Sequence, residues 1–186
     1  MIVSGLDIET TGLLDPEHRI IEICILLYDL DSQKKLGGYT KRIHPQRSIT
    51  PKAQEVHGIT IHDLAGCPTW DEVASMVARI MSKSDLIVAH NGYGFDLPFI
   101  ANELVRVGIA LPDVQGFDTM LEGRWATPMG KQPSLAELCF ATGVEYDPAK
   151  AHGAEYDVEV MMAAFFKGVE KGFFKIPQTE EQKEAA

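Results

Sequence analysis

The sequence has few cysteines, no long hydrophobic run and fewer basic than acidic residues. Its three cysteines form no Cys-x-x-Cys pair and cannot all be paired within one chain, so we expect free thiols that fill core space. The longest apolar stretch, residues 20–30, is interrupted by Glu22 and Asp29, which excludes a transmembrane span. No basic stretch followed by an apolar run stands at the N-terminus. We therefore expect no secretory signal, no membrane association and a cytoplasmic location.

The shortage of positive charge limits the nucleic acids that this chain could bind. Seventeen basic against 27 acidic residues give a formal net charge of −10, which argues against nonspecific tracking along a duplex. Part of the negative charge lies in residues 178–186, and part lies in the acidic motifs described below. The acidity therefore leaves room for metal-bridged contact with a few phosphates.

Length and patterning predict one α/β domain. A chain of 186 residues with 45% hydrophobic residues can bury a sizeable core, and no repeat or linker divides it. We expect the domain to span residues 1–174, followed by a flexible acidic tail over 175–186. Apolar runs predict three N-terminal strands joined by short turns, and helices and strands then alternate. The predicted strands are 1–8, 19–30, 37–43, 85–89 and 114–118, and the predicted helices are 51–57, 70–81, 95–107, 135–141 and one along 158–169. This order favours a mixed sheet covered by helices.

The first chemical motif is a pair of acids on the first predicted strand. Asp7 and Glu9 are two residues apart, so their carboxylates project from the same face of a sheet. Two adjacent anions repel each other unless a cation neutralises them, and Mg²⁺ or Mn²⁺ prefers carboxylate oxygen. On this spacing alone, an edge strand with two solvated acids is the competing interpretation.

The second motif follows the buried strand at 85–89. It places Asn91 in a turn and Asp96 at the start of a helix, where the helix dipole favours an acid and the carboxylate can also face a ligand. A capping acid and an ordinary turn residue remain the alternative.

The third motif leads into the last amphipathic helix. His152 and Asp157 would be far apart on a continuous helix, so they converge only if His152 lies in the loop or cap before it. Gly153 makes such a bend easy. A surface histidine is the alternative interpretation.

Taken in order, the three motifs resemble the DEDDh family of 3′→5′ exonucleases, and the bacterial replicative proofreading subunit and its relatives in particular. Asp7 and Glu9 match its D-x-E motif, the segment from His90 to Asp96 matches H-N-x-x-x-F-D, and His152 with Asp157 matches H-x-x-x-x-D. The resemblance runs from about residue 1 to 172. It implies an RNase H-like mixed sheet with three antiparallel N-terminal strands, flanked by helices.

The resemblance also implies a chemistry. The residues expected to bind two Mg²⁺ ions, for which Mn²⁺ could substitute, are Asp7, Glu9, Asp96 and Asp157. His152 is the expected general base, because imidazole titrates near neutral pH. The residues expected to contact the terminal nucleotides are Thr10, Thr11, Gly12, Leu13, His57, Asn91 and Phe95. For Leu13 and Phe95, simple packing is an equal alternative. Asp118 is either a supporting acid or a helix cap, and the resemblance does not explain Gly92-Tyr93-Gly94.

The expected substrate is the 3′ end of a single-stranded or frayed nucleic acid, with DNA favoured over RNA and 5′-mononucleotides as product. A DNA polymerase or a repair protein is the candidate protein partner. Two alternatives remain: an exoribonuclease that trims short RNA, and a non-catalytic nucleic-acid-binding module of the same fold.

Overall fold

A five-stranded mixed sheet organises the part of the chain that the computed structural model describes, residues 1–177. In chain order the elements are β1 (Ile2–Thr10), β2 (Ile20–Asp29), β3 (Lys35–Arg42), α1 (Pro51–His57), α2 (Trp70–Met81), β4 (Leu86–Ala89), α3 (Asp96–Arg106), β5 (Gln115–Asp118), α4 (Thr119–Glu122), α5 (Leu135–Thr142) and α6 (Ala154–Glu170). Two 3₁₀ turns, Gly123–Ala126 and Pro128–Gly130, connect α4 to α5. The predicted α/β class is confirmed.

The strand order β3-β2-β1-β4-β5 brings three carboxyl ends to one edge of the sheet. β2 pairs antiparallel with both β1 and β3, whereas β4 runs parallel to β1 and β5 runs parallel to β4. The carboxyl ends of β1, β4 and β5 therefore point the same way. Residues at these ends gather at one edge, where α/β sheets generally bind ligands.

Two apolar cores cover the two faces of the sheet. One core packs β-strand residues such as Val3 against α5 and α6, and the other packs residues such as Leu6 against α2 and α3. Gly5 lies so close to α6 that an added Cβ would sit 2.6 Å from side-chain atoms of Val158 and Met162. Because side chains alternate along a strand, Asp7 and Glu9 share the α6 side of the sheet with Gly5.

The strands differ in exposure according to their place in the sheet. β2 is almost wholly apolar and buried because both of its faces are covered. β3 forms an edge, and seven of its eight residues are exposed. It carries Lys35 and Lys41, whose charges discourage pairing with another chain. The charged residues of β3, rather than a covering helix or loop, therefore protect this edge of the sheet from pairing with another chain.

Local sequence explains where most helices begin and end. Thr50 caps α1, its hydroxyl accepting from the Ala53 backbone N–H at 3.2 Å, and Pro51 occupies the first turn. Ser134 and Glu137 form a capping box at α5. The predicted elements agree with the structure to within a few residues at most ends. The short α4 and the two 3₁₀ turns were not predicted, since they carry no extended apolar period.

The remaining predictions about composition have mixed outcomes. Cys24 and Cys139 are buried free thiols, as expected, while Cys67 is only half-buried. No helix within residues 1–177 is long and apolar enough to cross a bilayer. Phe174 is buried in the α5 and α6 core. Most of the predicted tail, residues 178–186, lies outside the described residues, so the division at residue 174 stays a prediction.

Candidate active site

Three acids approach one another at the carboxyl edge of the sheet. Asp7 and Glu9 lie near the end of β1, which extends to Thr10, two residues beyond the predicted end. Asp96 is buried at the first position of α3, shortly after the end of β4. Because β1 and β4 are parallel neighbours, the end of β1 and the start of α3 face the same corner of the domain.

The fourth acid and the histidine come from the beginning of α6. Asp157 lies in the first turn of α6, and its carboxylate accepts the His152 backbone N–H at 2.9 Å. His152 itself adopts a left-handed conformation with φ of 64°, whereas Gly153 has an ordinary φ of −111°. The expected bend before the helix is present, but the expectation that Gly153 supplies it was wrong. The hydrogen bond to Asp157 helps to stabilise this uncommon backbone at His152.

Side chains from β1 and α6 form a cluster with metal-ligand geometry. One ligand atom each of Glu9, His152 and Asp157 lies within 4.8 Å of the other two. Glu9 comes from the sheet, and the other two come from the loop and first turn around the start of α6. The structure therefore brings together residues separated by more than 140 positions in the chain.

Burial raises the pKa values of all four carboxyl groups, and repulsion from the other acids of the cluster adds to the effect at Asp7 and Glu9. Burial is the largest cause for each of them, and it raises the pKa of Glu9 to about 8 and that of Asp96 to about 7. The pKa of Asp7 rises well above its usual range, because of burial and then the charges of Asp96 and Glu9. The pKa of Asp157 is also raised, although the hydrogen bond from His152 opposes the effect. Without a cation, this cluster takes up protons.

The donor set fits a hard divalent cation. Asp96 Oδ1 and Asp157 Oδ1 are buried, and neither has a hydrogen-bond partner within the described chain. A buried carboxylate oxygen without a partner is costly unless something else satisfies it. Carboxylate oxygens crowded in this way suit Mg²⁺ or Mn²⁺, which coordinate oxygen and offset negative charge.

A cleft of about 210 Å³ opens directly beside these acids. It is lined by residues from the end of β1, the following loop, α1 and the start of α3: Glu9, Thr10, Gly12, Leu13, Thr50, Lys52, Ala53, Val56, His57 and Phe95. Its walls are mainly apolar, whereas its inner end is acidic through Glu9. The cleft therefore combines a mainly apolar lining with the acidic side chain of Glu9.

Exposure separates the two apolar side chains whose roles the sequence left open. Leu13 is 72% exposed at the rim of the cleft, so it does not serve the core. Phe95 also lines the cleft, but its ring lies 5.5 Å from that of Phe99 and packs against the α2 and α3 core. Leu13 is therefore free to contact a ligand, and Phe95 offers one face to it.

The structure does not bring every expected contact residue into the cleft. Thr11 is fully buried, and its hydroxyl lies 3.0 Å from His18 Nδ1. Asn91 does not line the cleft. Thr10 and Gly12 line the cleft as expected, but the Thr10 hydroxyl donates to the Gly12 carbonyl. Thr11 therefore supports the loop from behind.

His57 lines the cleft with both ring nitrogens already engaged. Its Nδ1 accepts the Ile59 backbone N–H at 3.0 Å, which leaves Nε2 as the donor to the Thr10 carbonyl at 3.2 Å. Burial lowers the pKa of His57 and so favours this neutral form. The ring ties the end of α1 to the end of β1 and presents a wall rather than a free donor to the cleft.

Sequence reasoning missed two features of the site. Glu22, paired with Glu9 across β1 and β2, is buried, bonds Arg42 Nε at 2.9 Å and accepts the Ala154 N–H at 3.3 Å. It caps α6, which has no side-chain cap of its own. The exposed face of α1, with Lys52, forms one wall of the cleft. Glu22 could not be predicted because its pairing with Glu9 depends on strand register. Lys52 could not be predicted because it belongs to no motif.

Known proteins resemble this chain over most of its length. The chain is 28% identical over 196 residues to Three prime repair exonuclease 2 of Mus musculus, an alignment that covers 86% of the chain and 80% of that protein. It is 32% identical over 163 residues to DNA polymerase III subunit epsilon of Buchnera aphidicola, covering 82% of the chain and 67% of the subunit. It also matches DNA polymerase III PolC-type of Ureaplasma parvum at 27% identity over 90% of the chain, but spans only 11% of that polymerase.

Solved structures share the fold. Escherichia coli Exonuclease I in complex with a dT13 oligonucleotide superposes with a TM-score of 0.76 at 20% identity, over 90% of this chain and 40% of that one. Exonuclease X in complex with 5′ overhanging duplex DNA superposes with a TM-score of 0.67 at 25% identity, over 97% and 96% of the two chains. The RNase H-like mixed sheet that the resemblance implies, with three antiparallel N-terminal strands and flanking helices, is thereby confirmed.

The family follows from the extent of the match. The sequence profile of the RNase_T exonuclease family matches residues 4–165, which include all three acidic motifs, from Asp7 to Asp157. The resemblance to 3′→5′ exonucleases that these motifs indicate is confirmed, and the chain belongs to the RNase_T exonuclease family.

Proposed function

We propose that this chain is a divalent-metal-dependent 3′→5′ exonuclease that releases 5′-mononucleotides from the 3′ ends of DNA. The observation that supports this most directly is the crowding of four carboxyl groups with raised pKa values beside a cleft of about 210 Å³. Such crowding costs stability and is explained by a ligand that carries positive charge.

Mg²⁺ is the proposed cofactor, with Mn²⁺ as a substitute. The proposed ligands of two such ions are Asp7, Glu9, Asp96 and Asp157. The four negative charges of these carboxylates would balance the four positive charges of the ions. Bound ions of this kind supply Lewis-acid activation of the water and stabilisation of the leaving oxygen in phosphodiester hydrolysis. The unpartnered Asp96 Oδ1 and Asp157 Oδ1 are the oxygens most in need of such a partner.

His152 is the proposed general base. Its ring lies at the open side of the cluster, within reach of Glu9 and Asp157, where it can take the proton from an attacking water. The Asp157 carboxylate fixes the backbone of His152, and thereby the direction from which the imidazole enters the site. A metal-ligand role for His152 uses the same proximity, and the two roles differ in how the variant responds to metal.

The cleft would hold the terminal nucleotide. Leu13 and Val56 expose apolar surface in the lining of the cleft, to which Phe95 adds an aromatic ring. Stacking and apolar contact of this kind bind any base, which suits an enzyme that removes successive nucleotides. The backbone of Thr10 and Gly12 lies next to Glu9, near the place where the terminal sugar would sit. Asn91 stays a candidate contact only for a longer strand.

Single-stranded or frayed DNA is the proposed substrate, in preference to RNA. The names of the relatives favour DNA: a three prime repair exonuclease, a DNA polymerase subunit, and an exonuclease solved with duplex DNA. A DNA polymerase or a repair protein is the proposed partner, and the cytoplasm the proposed location. The low content of basic residues favours strand ends over long duplex contacts.

Digestion of end-labelled oligonucleotides tests the proposal. With Mg²⁺, a 5′-labelled DNA strand should give a ladder that shortens from the 3′ end, while a 3′-labelled strand should release labelled 5′-mononucleotide at once. Chelation should stop both reactions. A matched RNA strand should be degraded more slowly, and faster cleavage of RNA would favour an exoribonuclease instead. Binding of the oligonucleotide without any metal-dependent turnover would contradict the proposal and favour a non-catalytic module.

A further inference from the structure

One buried carboxylate holds the loop that precedes Asp96. Asp118, at the end of β5, is 2% exposed. Its Oδ1 accepts the backbone N–H of Asn91 at 3.1 Å, and its Oδ2 accepts that of Tyr93 at 3.1 Å. The same carboxylate caps α4 by accepting the N–H groups of Met120 at 2.9 Å and Leu121 at 3.2 Å. Four backbone donors from two segments therefore converge on one side chain.

The loop is built to fit closely against β5 and the end of β4. Asn91 takes a left-handed conformation with φ of 67°, which asparagine tolerates better than most residues. An added Cβ at Gly92 would lie 2.6 Å from the Ala89 Cβ, and one at Gly94 would clash with the Asn91 side chain. The two glycines of Gly92-Tyr93-Gly94 are thus explained by close packing of the turn.

Tyr93 fixes the other side of the loop. Its hydroxyl donates to the Gly116 carbonyl at 2.7 Å, and its ring covers Gly116 so closely that a Cβ there would lie 2.8 Å from the hydroxyl oxygen. Tyr93 is thereby tied to β5 at both its backbone and its side chain. β5 thus anchors the loop between Asn91 and Phe95.

The loop carries Asp96 into the site, where the backbone of Ile8 and that of Asp96 itself also bond its carboxylate. The Oδ1 atom of Asp96 has no hydrogen-bond partner within the described chain, and Phe95 gives α3 no side-chain cap. The first turn of α3 is instead bonded back to the loop, since the Leu97 N–H donates to the Gly92 carbonyl at 2.9 Å. A shift of the loop would therefore move the Asp96 carboxylate relative to Asp7.

We propose that Asp118 is a positioning residue of the active site, which holds the 91–95 backbone so that the Asp96 carboxylate meets those of Asp7 and Glu9. Asp118 does not touch the cleft and acts through the loop. The inference rests on the proposed function, because it assigns Asp118 a part in forming the metal-binding cluster. If Asp118 merely capped α4, its loss would lower stability and leave the metal dependence unchanged.

Asp118→Asn is the informative substitution. It keeps the size of the side chain and one acceptor oxygen, but it turns an N–H group toward at least one of the four donors. We expect kcat to fall about 10- to 100-fold, the range for loss of a group that supports a metal ligand. The Mg²⁺ concentration for half-maximal rate should rise, because a displaced Asp96 carboxylate holds the cation less well. Asp113→Asn makes the same change at an exposed acid before β5 and should match the wild type.

A second variant reaches the loop without altering a carboxylate. Gly116→Ala pushes the Tyr93 ring away from β5 and should change kcat and Mg²⁺ dependence in the same direction. Two readouts do not need turnover: calorimetric titration of the metal-free proteins with Mn²⁺, and hydrogen exchange at the Asn91 and Tyr93 amides. Both variants should bind Mn²⁺ more weakly, and Asp118→Asn should exchange the Tyr93 amide faster.

The outcomes separate this inference from the proposed function. Weaker Mn²⁺ binding in both variants, with a folded protein in each case, supports Asp118 as a positioning residue. Unchanged Mn²⁺ affinity and Mg²⁺ dependence in folded Asp118→Asn would overturn it, whether or not Tm falls. A wild-type protein that binds Mn²⁺ and turns over in Mg²⁺ upholds the proposed function in that case. A wild-type protein that does neither would overturn both.

Discussion

The acidic cluster and the cleft beside it differ in what they present to a ligand: the cluster crowds buried charge, and the cleft exposes apolar surface. In the cluster, Glu9 and Asp96 are held where burial and neighbouring charge raise their pKa values to about 8 and about 7. In the cleft, Leu13 and Val56 expose apolar surface with no strong interaction to the chain. We expect the acidic cluster to destabilise the fold when no cation is bound, whereas the cleft is an open apolar surface. The comparison teaches that metal and nucleotide should act on stability in different ways.

Removing one acid should produce the largest effect. Asp7→Asn deletes a charge at the most crowded position of the cluster, and we expect hydrolysis to fall below detection while the metal-free protein becomes more stable. The physical reason is that the charge proposed to bind the cation is also repelled by Asp96 and Glu9. Rates on a labelled DNA strand and thermal unfolding in chelator measure the two effects. Asp31→Asn, at an exposed turn, is the matched control, and a variant that retains wild-type turnover would contradict the metal-ligand role.

Replacing the histidine should have the next largest effect. His152→Ala should lower kcat about 10²- to 10⁴-fold, the usual range for lost general acid-base catalysis, while the Mg²⁺ dependence stays unchanged. The measurement is rate against pH and Mg²⁺ concentration for the wild type and the variant. A base role also predicts that the acid limb of the wild-type pH profile is lost in the variant. Recovery of the variant at high Mg²⁺ would instead show that His152 binds metal.

The apolar cleft should respond more weakly to substitution than the acids. Lys52 is exposed on α1 and lines the cleft, so we expect it to contact a phosphate of the bound strand. Lys52→Gln should raise KM by a few-fold and leave kcat unchanged, since an exposed ion pair contributes about 0.2–1 kcal/mol.

Salt identifies the cause of any change at Lys52. Loss of one phosphate contact should reduce the slope of log KM against log salt by about 0.7 for a single strand. Lys83→Gln, at an exposed position after α2, serves as the control and should leave both KM and slope unchanged. An unaltered salt slope in Lys52→Gln would place the phosphates elsewhere.

The sequence predicted the components of the acidic cluster better than those of the cleft. Asp7, Glu9, Asp96 and Asp157 stand in ordered motifs at the ends of elements, so topology alone brings them to one edge. Contacts across the fold could not be foreseen in this way. The burial of Thr11, the engaged ring of His57 and the capping of α6 by Glu22 depend on strand register and loop packing.

Backbone geometry was the second feature of the site that could not be predicted from the sequence. The bend at the third motif was expected at Gly153, because glycine adopts left-handed conformations most easily, yet His152 takes it. The hydrogen bond from His152 to Asp157 is formed only when α6 is in place, so no local propensity predicts it. From the sequence, Asp118 could be either a supporting acid or a helix cap. In the structure its carboxylate accepts backbone N–H groups both from the loop before Asp96 and from α4.

The sharpest contrast between the two regions is their dependence on pH. A carboxyl group whose pKa is higher in the folded than in the unfolded protein stabilises the fold while protonated, and this contribution is lost as the pH rises through the folded pKa. For Glu9 that range runs from the usual 4.5 up to about 8. Metal-free protein should therefore lose stability between about pH 5 and pH 8, and each unit of pKa shift corresponds to at most about 1.4 kcal/mol.

Thermal unfolding of the wild type and of Asp7→Asn at pH 8, in chelator and in Mg²⁺, tests the central claim most directly. If the buried acids are a cation site, Mg²⁺ should raise the Tm of the wild type clearly, and Asp7→Asn should start higher in chelator and gain much less from the metal. The same Tm for the wild type with and without Mg²⁺, or the same gain in Asp7→Asn, would contradict the account.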